Sequence, residues 1–273
     1  MRTNQSDDRG RVERFHEDVE RSFTSYPEEG FAITDDIDGK SFWMRSRNRT
    51  FGRELQRLVA GVAAPRILEI GCGNGSFLKH VSRLIDAEFT GSEIYASGVE
   101  SARAKLPDVR VLQLDATRLP FEAEFDVVAA FDVLEHIEED ETVMAGVRRA
   151  LKPGGAFMIS VPQYPWMWTE LDDLVHHRRR YTREELRTKL ARAGLTVEYL
   201  TSHVFALFPL MVASRLVSKT GRSKKSTRDF TEFSGPVNAI GDRLMRLDEA
   251  FIRRQISLPF GGTLYAVARK SAT

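Results

Sequence analysis

The chain has 273 residues, of which 42% are hydrophobic and 29% charged, and its formal net charge is +1. This balance is typical of a globular protein with one elaborated domain, and the low net charge argues against a dedicated nucleic-acid binder, so we expect no nucleic-acid partner. The single cysteine, Cys72, excludes an intramolecular disulfide, argues against a cysteine-based metal cluster and fits a reducing, cytoplasmic setting.

The N-terminal region is predicted to be a helical extension or cap over residues 1–62. Residues 1–40 are polar and lack the apolar core of a signal peptide. Residues 42–62 carry apolar side chains at helical spacing, which predicts a helix. We expect the main domain to span residues 63–273.

The pattern then changes to strands that alternate with helices. Five strands are predicted, at 66–70, 88–93, 110–114, 125–131 and 155–161. Helices are predicted between them, at 76–85, 96–105 and 139–151. This alternation indicates right-handed βαβ units and a parallel sheet covered on both faces. A helix at 182–193 follows, with a capping box that begins at Thr182 and a stop at Gly194. Two further strands are predicted at 195–201 and 263–268.

A long segment, residues 202–262, separates the last two predicted strands. It holds an apolar stretch (204–217), a basic run (219–228) and a second apolar helical stripe, so we predict a helical insertion rather than a structureless loop. The apolar stretch is too short to span a bilayer, and Pro209 and Arg215 interrupt it. We favour a solvated linker for the basic run, and the alternative is contact with phosphates or an anionic membrane surface.

Three glycines, Gly71, Gly73 and Gly75, follow the first predicted strand. Glycine allows a tight turn and a close approach of the backbone to a ligand, and the next helix directs its first amides toward that ligand. The NAD fingerprint requires a further glycine where this chain has Ser76. Glu93 ends the second predicted strand, where a carboxylate accepts from ribose hydroxyls, and this indicates a nucleoside without choosing the cofactor.

The motifs together resemble the class I S-adenosylmethionine (SAM) methyltransferases. The resemblance rests on ILEIGCGNGSF, LQLDATRLPF, FDVVAAFDVLEHI and LKPGGAFMIS, which follow one another in the family order over residues 65–162. Two flanking segments, FWMRSRNR at 42–49 and DDLVHHRRRYTREEL at 172–186, are similar to those of a type 11/12 bacterial subgroup. The resemblance implies a doubly wound, Rossmann-like sheet of seven strands, with strand 7 antiparallel between strands 5 and 6. It also implies SAM as cofactor and S-adenosylhomocysteine as product.

The resemblance further implies a set of cofactor contacts. Asp115 would accept from the adenine amino group, and the backbone amide of Ala116 would donate to the ring. Asp132 lies at the mouth of strand 4. The complete set predicted to contact the cofactor is Trp43, Arg47, Glu69, Gly71, Gly73, Gly75, Glu93, Ile94, Asp115, Ala116 and Asp132.

Three residues are candidates for catalysis. His136 follows strand 4 and is a candidate base, although we favour the alternative that it packs against the cofactor edge. His177 and Tyr181 belong to a basic cluster that either contacts the acceptor or braces the next helix, and the two interpretations stay open. Because His176 and His177 lack an accompanying acid or cysteine pattern, we predict no metal site.

The predicted function is methyl transfer to a small-molecule, glycan-linked or lipid-linked acceptor, with residues 202–262 as a lid on the acceptor side and peripheral membrane contact as an option. An NAD-dependent oxidoreductase and a non-catalytic SAM-fold binding subunit are the alternatives. The glycine missing at Ser76 and the Asp115–Ala116 pair argue against the first, and the intact glycines with Glu93 argue against the second. No residue pattern specifies the acceptor atom or the oligomeric state.

Overall fold

The computed structural model describes residues 40–218 and 235–272. These residues form a seven-stranded sheet with helices packed on it. The strands are β1 (Arg66–Ile70), β2 (Glu88–Glu93), β3 (Arg110–Gln113), β4 (Phe125–Phe131), β5 (Leu151–Pro162), β6 (Leu195–His203) and β7 (Thr263–Lys270). Their order is β3-β2-β1-β4-β5-β7-β6, and β7 runs antiparallel to both β5 and β6. The predicted Rossmann-like fold with strand 7 antiparallel between strands 5 and 6 is therefore confirmed.

Helices cover both faces of this sheet. They are α1 (Phe42–Val59), α2 (Ser76–Val81), α3 (Ala96–Lys105), α4 (Asp140–Ala150), α5 (Glu170–Leu174), α6 (Arg183–Arg192), α7 (Phe208–Ser218) and α8 (Gly235–Arg253). Alternate side chains of each central strand enter different layers: Val128 of β4 packs in one buried cluster, while Val127 and Phe131 pack in the other. This two-sided burial explains why the central strands read as continuous apolar runs.

The strand order reverses between β1 and β4, and parallel strands of this arrangement bind ligands at their carboxyl ends. The turn after β1, the end of β2 at Glu93 and the end of β4 at Phe131 all lie at that edge. Strand β6 runs in the same direction, so its last residue, His203, lies at the same edge.

The predicted N-terminal cap and the predicted insertion contact each other directly. Ser46 of α1 donates to the Glu249 carboxylate of α8 at 3.0 Å, and Arg49 binds both Glu249 and Asp242 at 3.0 Å. On the sheet side of α1, the Phe51 ring stacks on Phe131, with 4.7 Å between centroids. The two helices therefore form one layer over the sheet.

Gly241→Ala is expected to lower the free energy of unfolding by about 1–3 kcal/mol, because a Cβ there would lie 2.7 Å from the Phe42 ring. Gly235→Ala in the same helix is the control, since a Cβ at that position meets nothing within 4 Å. We expect the control to be neutral or stabilising by a few tenths of a kcal/mol. Thermal unfolding of both variants measures the difference, and equal stabilities would show that α8 does not pack on α1 in this way.

The apolar stretch forms α7, which begins four residues later than the predicted 204–217 segment. Val204 has a φ of 64°, and Asp248 of α8 accepts from the amides of Phe205 and Ala206 at 2.6 and 3.1 Å, so this turn is held away from helical geometry. No helix in the described ranges is both long and apolar enough to cross a membrane. The predicted basic run at 219–228 and residues 1–39 of the predicted cap lie outside the described residues.

Candidate functional site

The turn after β1, here called the glycine loop (residues 71–75), requires glycine at each predicted position. Gly71, Gly73 and Gly75 have φ angles of 64°, 53° and 77°, in the left-handed region that side chains disfavour. Space is also limiting, because a Cβ on Gly71 would lie 2.5 Å from Val133 Cγ2 and one on Gly75 would lie 2.6 Å from Leu106 Cδ1. The loop therefore presents bare backbone at the carboxyl edge of the sheet.

Glu93 holds this loop from the neighbouring strand. Its Oε2 accepts from the Gly73 amide at 3.0 Å, and its Oε1 accepts from the amides of Ile94 and Tyr95 at 2.8 and 3.2 Å. Burial raises the pKa of Glu93, while these three amide hydrogen bonds lower it. A carboxylate has about four acceptor sites, so about one remains for a ligand hydroxyl.

Asp115 shapes the corresponding turn after β3. Its Oδ1 accepts from the amide and the hydroxyl of Thr117, both at 2.8 Å, and this cap starts a short 3-10 turn at Ala116. The second carboxylate oxygen lies 3.6 Å from Arg118 Nε. Oδ2 of Asp115 is therefore the oxygen that remains for the predicted adenine contact, since the turn uses only Oδ1.

Three predicted residues from distant parts of the chain meet at the end of β4. Asp132 has a φ of 57°, which is strained for a residue other than glycine and is often seen at functional sites. Its Oδ2 lies 3.2 Å from Arg47 Nη1, and its Oδ1 accepts from Ser160 at 3.2 Å. The Arg47 guanidinium in turn lies 5.6 Å from the centre of the Trp43 ring. Helix α1 thus brings the FWMRSRNR segment against the sheet edge.

A second group of polar side chains lies beside Asp132. His136 and His177 are in edge contact, with 4.7 Å between ring centroids. His177 Nδ1 lies 2.7 Å from Asp172 Oδ1, and His177 Nε2 lies 3.8 Å from Glu135 Oε1. Burial lowers the pKa of His136 to about 3, so its imidazole is neutral at physiological pH.

Two buried acids of this group, Glu135 and Asp172, were not predicted from the sequence. We expected no metal because His177 has no accompanying acid in the sequence pattern, and the structure corrects that premise by placing both acids beside it. The available signals were the Glu-His pair at 135–136 and the acids that open the 172–186 segment.

Two further residues that were not predicted, Gln163 and His203, line the edge near β5 and β6. His203 ends β6, and burial together with the Arg47 charge lowers its pKa to about 3. Within the described ranges, His203 Nε2 and both polar side-chain atoms of Gln163 are buried and make no hydrogen bond. Strand 6 was predicted to end at Thr201, so His203 was not expected to lie at this edge.

Comparison with known proteins agrees with this geometry. Residues 68–159 match the model of a family described as a methyltransferase domain. Over these residues the chain is similar to the methyltransferase domain family. It is 30% identical over 167 residues to a probable SAM-dependent methyltransferase of Mycolicibacterium smegmatis, an alignment that covers 58% of this chain and 61% of that relative. The alignment therefore spans less than two thirds of the relative's length.

Solved structures share the methyltransferase fold. Phosphoethanolamine N-methyltransferase 2 of Haemonchus contortus, solved with phosphomonomethylethanolamine and S-adenosylhomocysteine, has a TM-score of 0.59 and 18% identity over 91% of this chain and 58% of that chain. The cyclase SpnF has a TM-score of 0.59 and 21% identity over 86% of each chain. At these identities the likeness shows the fold alone.

The cofactor of the similar proteins, SAM, carries an ammonium group, and the position of Glu69 in β1 fits such a group. Glu69 is 4% exposed, and its Oε2 makes no hydrogen bond within the described ranges. Burial raises the pKa of Glu69 to about 8, the Arg47 charge opposes this shift, and Glu93 adds to it. A bound cation stabilises a buried carboxylate that has an oxygen without a hydrogen bond, so Glu69 fits the ammonium group of SAM.

Glu69→Gln is expected to stabilise the ligand-free protein at pH 8.5 by roughly 1–3 kcal/mol and to have little effect at pH 5. The pKa of Glu69 rises from 4.5 to about 8 on folding. Burial favours the neutral form of Glu69, so the folded protein has its full stability below about pH 4.5 and loses part of it as the pH rises through about 8. Glutamine stays neutral at every pH, so the variant does not lose this stability. Thermal unfolding at both pH values measures it, and a variant that is less stable than wild type at pH 8.5 would contradict the assignment.

The structure places Tyr181, which was predicted as catalytic, in the core rather than at the surface of the cleft. Its side chain is fully buried, and its hydroxyl donates to Asp140 Oδ2 at 2.7 Å. Burial and the Asp140 hydrogen bond raise the pKa of Tyr181 far above its ordinary value. It packs in the core beneath α4, so the bracing interpretation of the basic cluster holds for this residue. The Thr182 cap that follows is confirmed, since its hydroxyl accepts from the Glu185 amide at 3.1 Å.

Proposed function

We propose that this chain binds SAM on the glycine loop and transfers the methyl group to a small-molecule acceptor. One observation carries the proposal: a glycine loop with three left-handed φ angles is held by the Glu93 carboxylate at the point where the strand order reverses. Asp115, on the next strand, lies at the same edge. This combination supports an adenosine cofactor whose far end reaches β4.

Each predicted cofactor residue has a task in this proposal. SAM supplies a methyl group on a positively charged sulfur. Glu93 accepts from a ribose hydroxyl, Asp115 accepts from the adenine amino group, and Glu69 faces the ammonium group. The Ala116 amide donates to the adenine ring. The remaining predicted residues wall the cleft or lend it backbone amides, namely Trp43, Arg47, Asp132 and Ile94.

The acceptor side is proposed to lie between β4, β5 and β6. Gln163 and His203 offer buried polar atoms there, and His136 and His177 lie on its β4 side. A neutral His136 has a lone pair and is able to accept a proton, but its low pKa makes it a weak base. We keep His136 and His177 as proposed acceptor-side residues, with positioning of the acceptor as their main task.

The insertion is proposed to cover this side as a lid. Helix α7 exposes Leu210, and α8 exposes Val237 and Ile240, so the lid offers apolar surface to an aromatic or lipid-linked acceptor. Glycan-linked acceptors, peripheral membrane contact and a cytoplasmic location also remain proposals. The cytoplasmic location rests on the single, buried thiol of Cys72.

The test is calorimetric titration of the full chain with SAM, S-adenosylhomocysteine and NAD⁺, followed by transfer of a labelled methyl group to phenols, glycans and lipid-linked acceptors. We expect micromolar binding of the first two ligands and none of NAD⁺. Binding of NAD⁺ alone would favour the oxidoreductase. Binding of SAM without transfer to any acceptor class would favour the non-catalytic binding subunit.

A further inference from the structure

Glu135, His136 and His177, here called the Glu-His cluster, converge where the turn after β4 meets the segment before α6. Each residue offers one ligand atom, and these three atoms lie within 4.8 Å of one another. Two imidazole nitrogens with one carboxylate oxygen form a ligand set that divalent transition metals use. Ligand atoms around a tetrahedral ion are roughly 3.3 Å apart, so side-chain shifts of about 1.5 Å or less would complete the site.

Hydrogen bonding fixes which nitrogen of His177 carries a proton. The Asp172 carboxylate lies 2.7 Å from His177 Nδ1 and pairs with the Arg180 guanidinium on both of its oxygens. A carboxylate paired in this way accepts hydrogen bonds, so His177 Nδ1 donates to it. In the neutral imidazole, Nε2 then carries a lone pair directed toward the cluster.

The carboxyl group of Glu135 faces this lone pair. Glu135 Oε1 lies 3.8 Å from His177 Nε2, which is too long for a direct hydrogen bond. The Glu135 side chain is 1% exposed, and its Oε2 makes no hydrogen bond within the described ranges. An imidazole nitrogen and a carboxyl oxygen thus face each other without a direct hydrogen bond, and both are atoms that bind a transition-metal ion.

The backbone holds the two halves of the cluster together. The Arg178 amide donates to the Glu135 carbonyl at 2.7 Å, and the Tyr181 amide donates to the Pro162 carbonyl at 2.9 Å. The Arg180 guanidinium binds Asp172 through Nε and Nη2 at 2.8 and 2.9 Å, so the carboxylate behind His177 is itself fixed. A carboxylate that orients a histidine in this way is the usual support of a metal-binding imidazole.

We propose that Glu135, His136 and His177 bind one divalent transition-metal ion, with Asp172 as the positioning residue behind His177. The ligand set favours Zn²⁺ and chemically similar ions over Mg²⁺ or Ca²⁺, which prefer oxygen ligands. Three protein ligands leave at least one coordination position open, as in catalytic rather than structural zinc sites. The inference goes beyond methyl transfer, because metal binding is measurable without it.

The test uses the tag-free full chain, stripped with a chelator and titrated with Co²⁺, whose visible absorption reports nitrogen and oxygen ligands. We expect one ion per chain, displaced by Zn²⁺. Glu135→Gln and His177→Asn should each weaken Co²⁺ binding by about 100-fold. His176→Asn is the matched control, because His176 is an exposed neighbour with a φ of 57° that asparagine tolerates. The control should bind like wild type.

Two results would overturn the proposal: a wild-type spectrum that stays that of the hydrated ion, or a control that loses as much affinity as His177→Asn. The first result comes from the wild-type titration alone. The proposal can therefore be overturned even if a variant fails to fold. SAM affinity is measured on the same samples. Absence of SAM binding would count against the proposed function and leave the metal result standing.

Discussion

Glu93→Gln is expected to weaken binding of SAM and S-adenosylhomocysteine by about 10- to 150-fold. The structure leaves about one acceptor site of this carboxylate for a ribose hydroxyl, and a hydrogen bond to a charged group is worth about 1.5–3 kcal/mol. The glutamine NH₂ also replaces one acceptor, so either the Gly73 amide or the amides of Ile94 and Tyr95 lose their partner. Calorimetry measures the affinities. Thermal unfolding of the ligand-free variant should show a loss in the free energy of unfolding that is smaller than the loss in the free energy of SAM binding.

Glu88→Gln is the control for this substitution. Glu88 begins the same strand, is exposed and pairs only with the surface residue Arg66 among the described contacts. It lies at the amino end of β2, so its loss should leave SAM affinity unchanged. If Glu93→Gln and Glu88→Gln bind SAM equally well, Glu93 only organises the glycine loop and does not contact the cofactor.

The geometry of the proposed cofactor side was predictable because its sequence signals are local. A buried apolar strand that runs into closely spaced glycines specifies its own turn, and the bounds of β1, β2 and β4 agree with the predicted 66–70, 88–93 and 125–131. Glu93 and Asp132 then follow from strand ends alone. Parallel pairing brings those ends to one edge, so a strand pattern is sufficient to place them.

The arrangement of the proposed acceptor side was not predictable, because long-range contacts determine it. Tyr181 stands in a polar, basic segment, yet its partner Asp140 lies 41 residues away and draws it into the core. His203 belongs to β6 only because it pairs with Thr263 of β7, which is remote in sequence. Neither pairing leaves a periodic pattern, so the sequence left both interpretations of Tyr181 open and placed His203 outside the predicted strand.

Asp172→Asn is expected to lower the free energy of unfolding by about 3–5 kcal/mol, the usual cost of leaving a buried charge without its partner. The Asp172 carboxylate accepts from Arg180 twice, from His177, and from the amide and hydroxyl of Thr169. Asparagine keeps the shape but removes the charge that balances the buried guanidinium. For a chain of this size, the loss corresponds to a fall in Tm of roughly 6–20 °C.

Asp173→Asn provides the control, since Asp173 is an exposed neighbour that accepts from Trp168 Nε1 at 2.9 Å. We expect it to cost about 1 kcal/mol or less. A comparable loss in both variants would mean that α5 tolerates no acid-to-amide change. The buried Asp172–Arg180 pair would then contribute no more to the free energy of unfolding than the exposed Asp173 does.

Acidification distinguishes the charge of Asp172 from its shape. The pKa of Asp172 falls below its ordinary value of 3.8 on folding, because the hydrogen bonds from His177 and Arg180 outweigh the effect of burial. A depressed pKa contributes stability that is present above about pH 4 and is lost as the pH falls toward the folded value. Wild type should therefore lose more stability than Asp172→Asn between pH 5 and pH 3. Parallel curves for the two proteins would show that the carboxylate is not held ionised by Arg180.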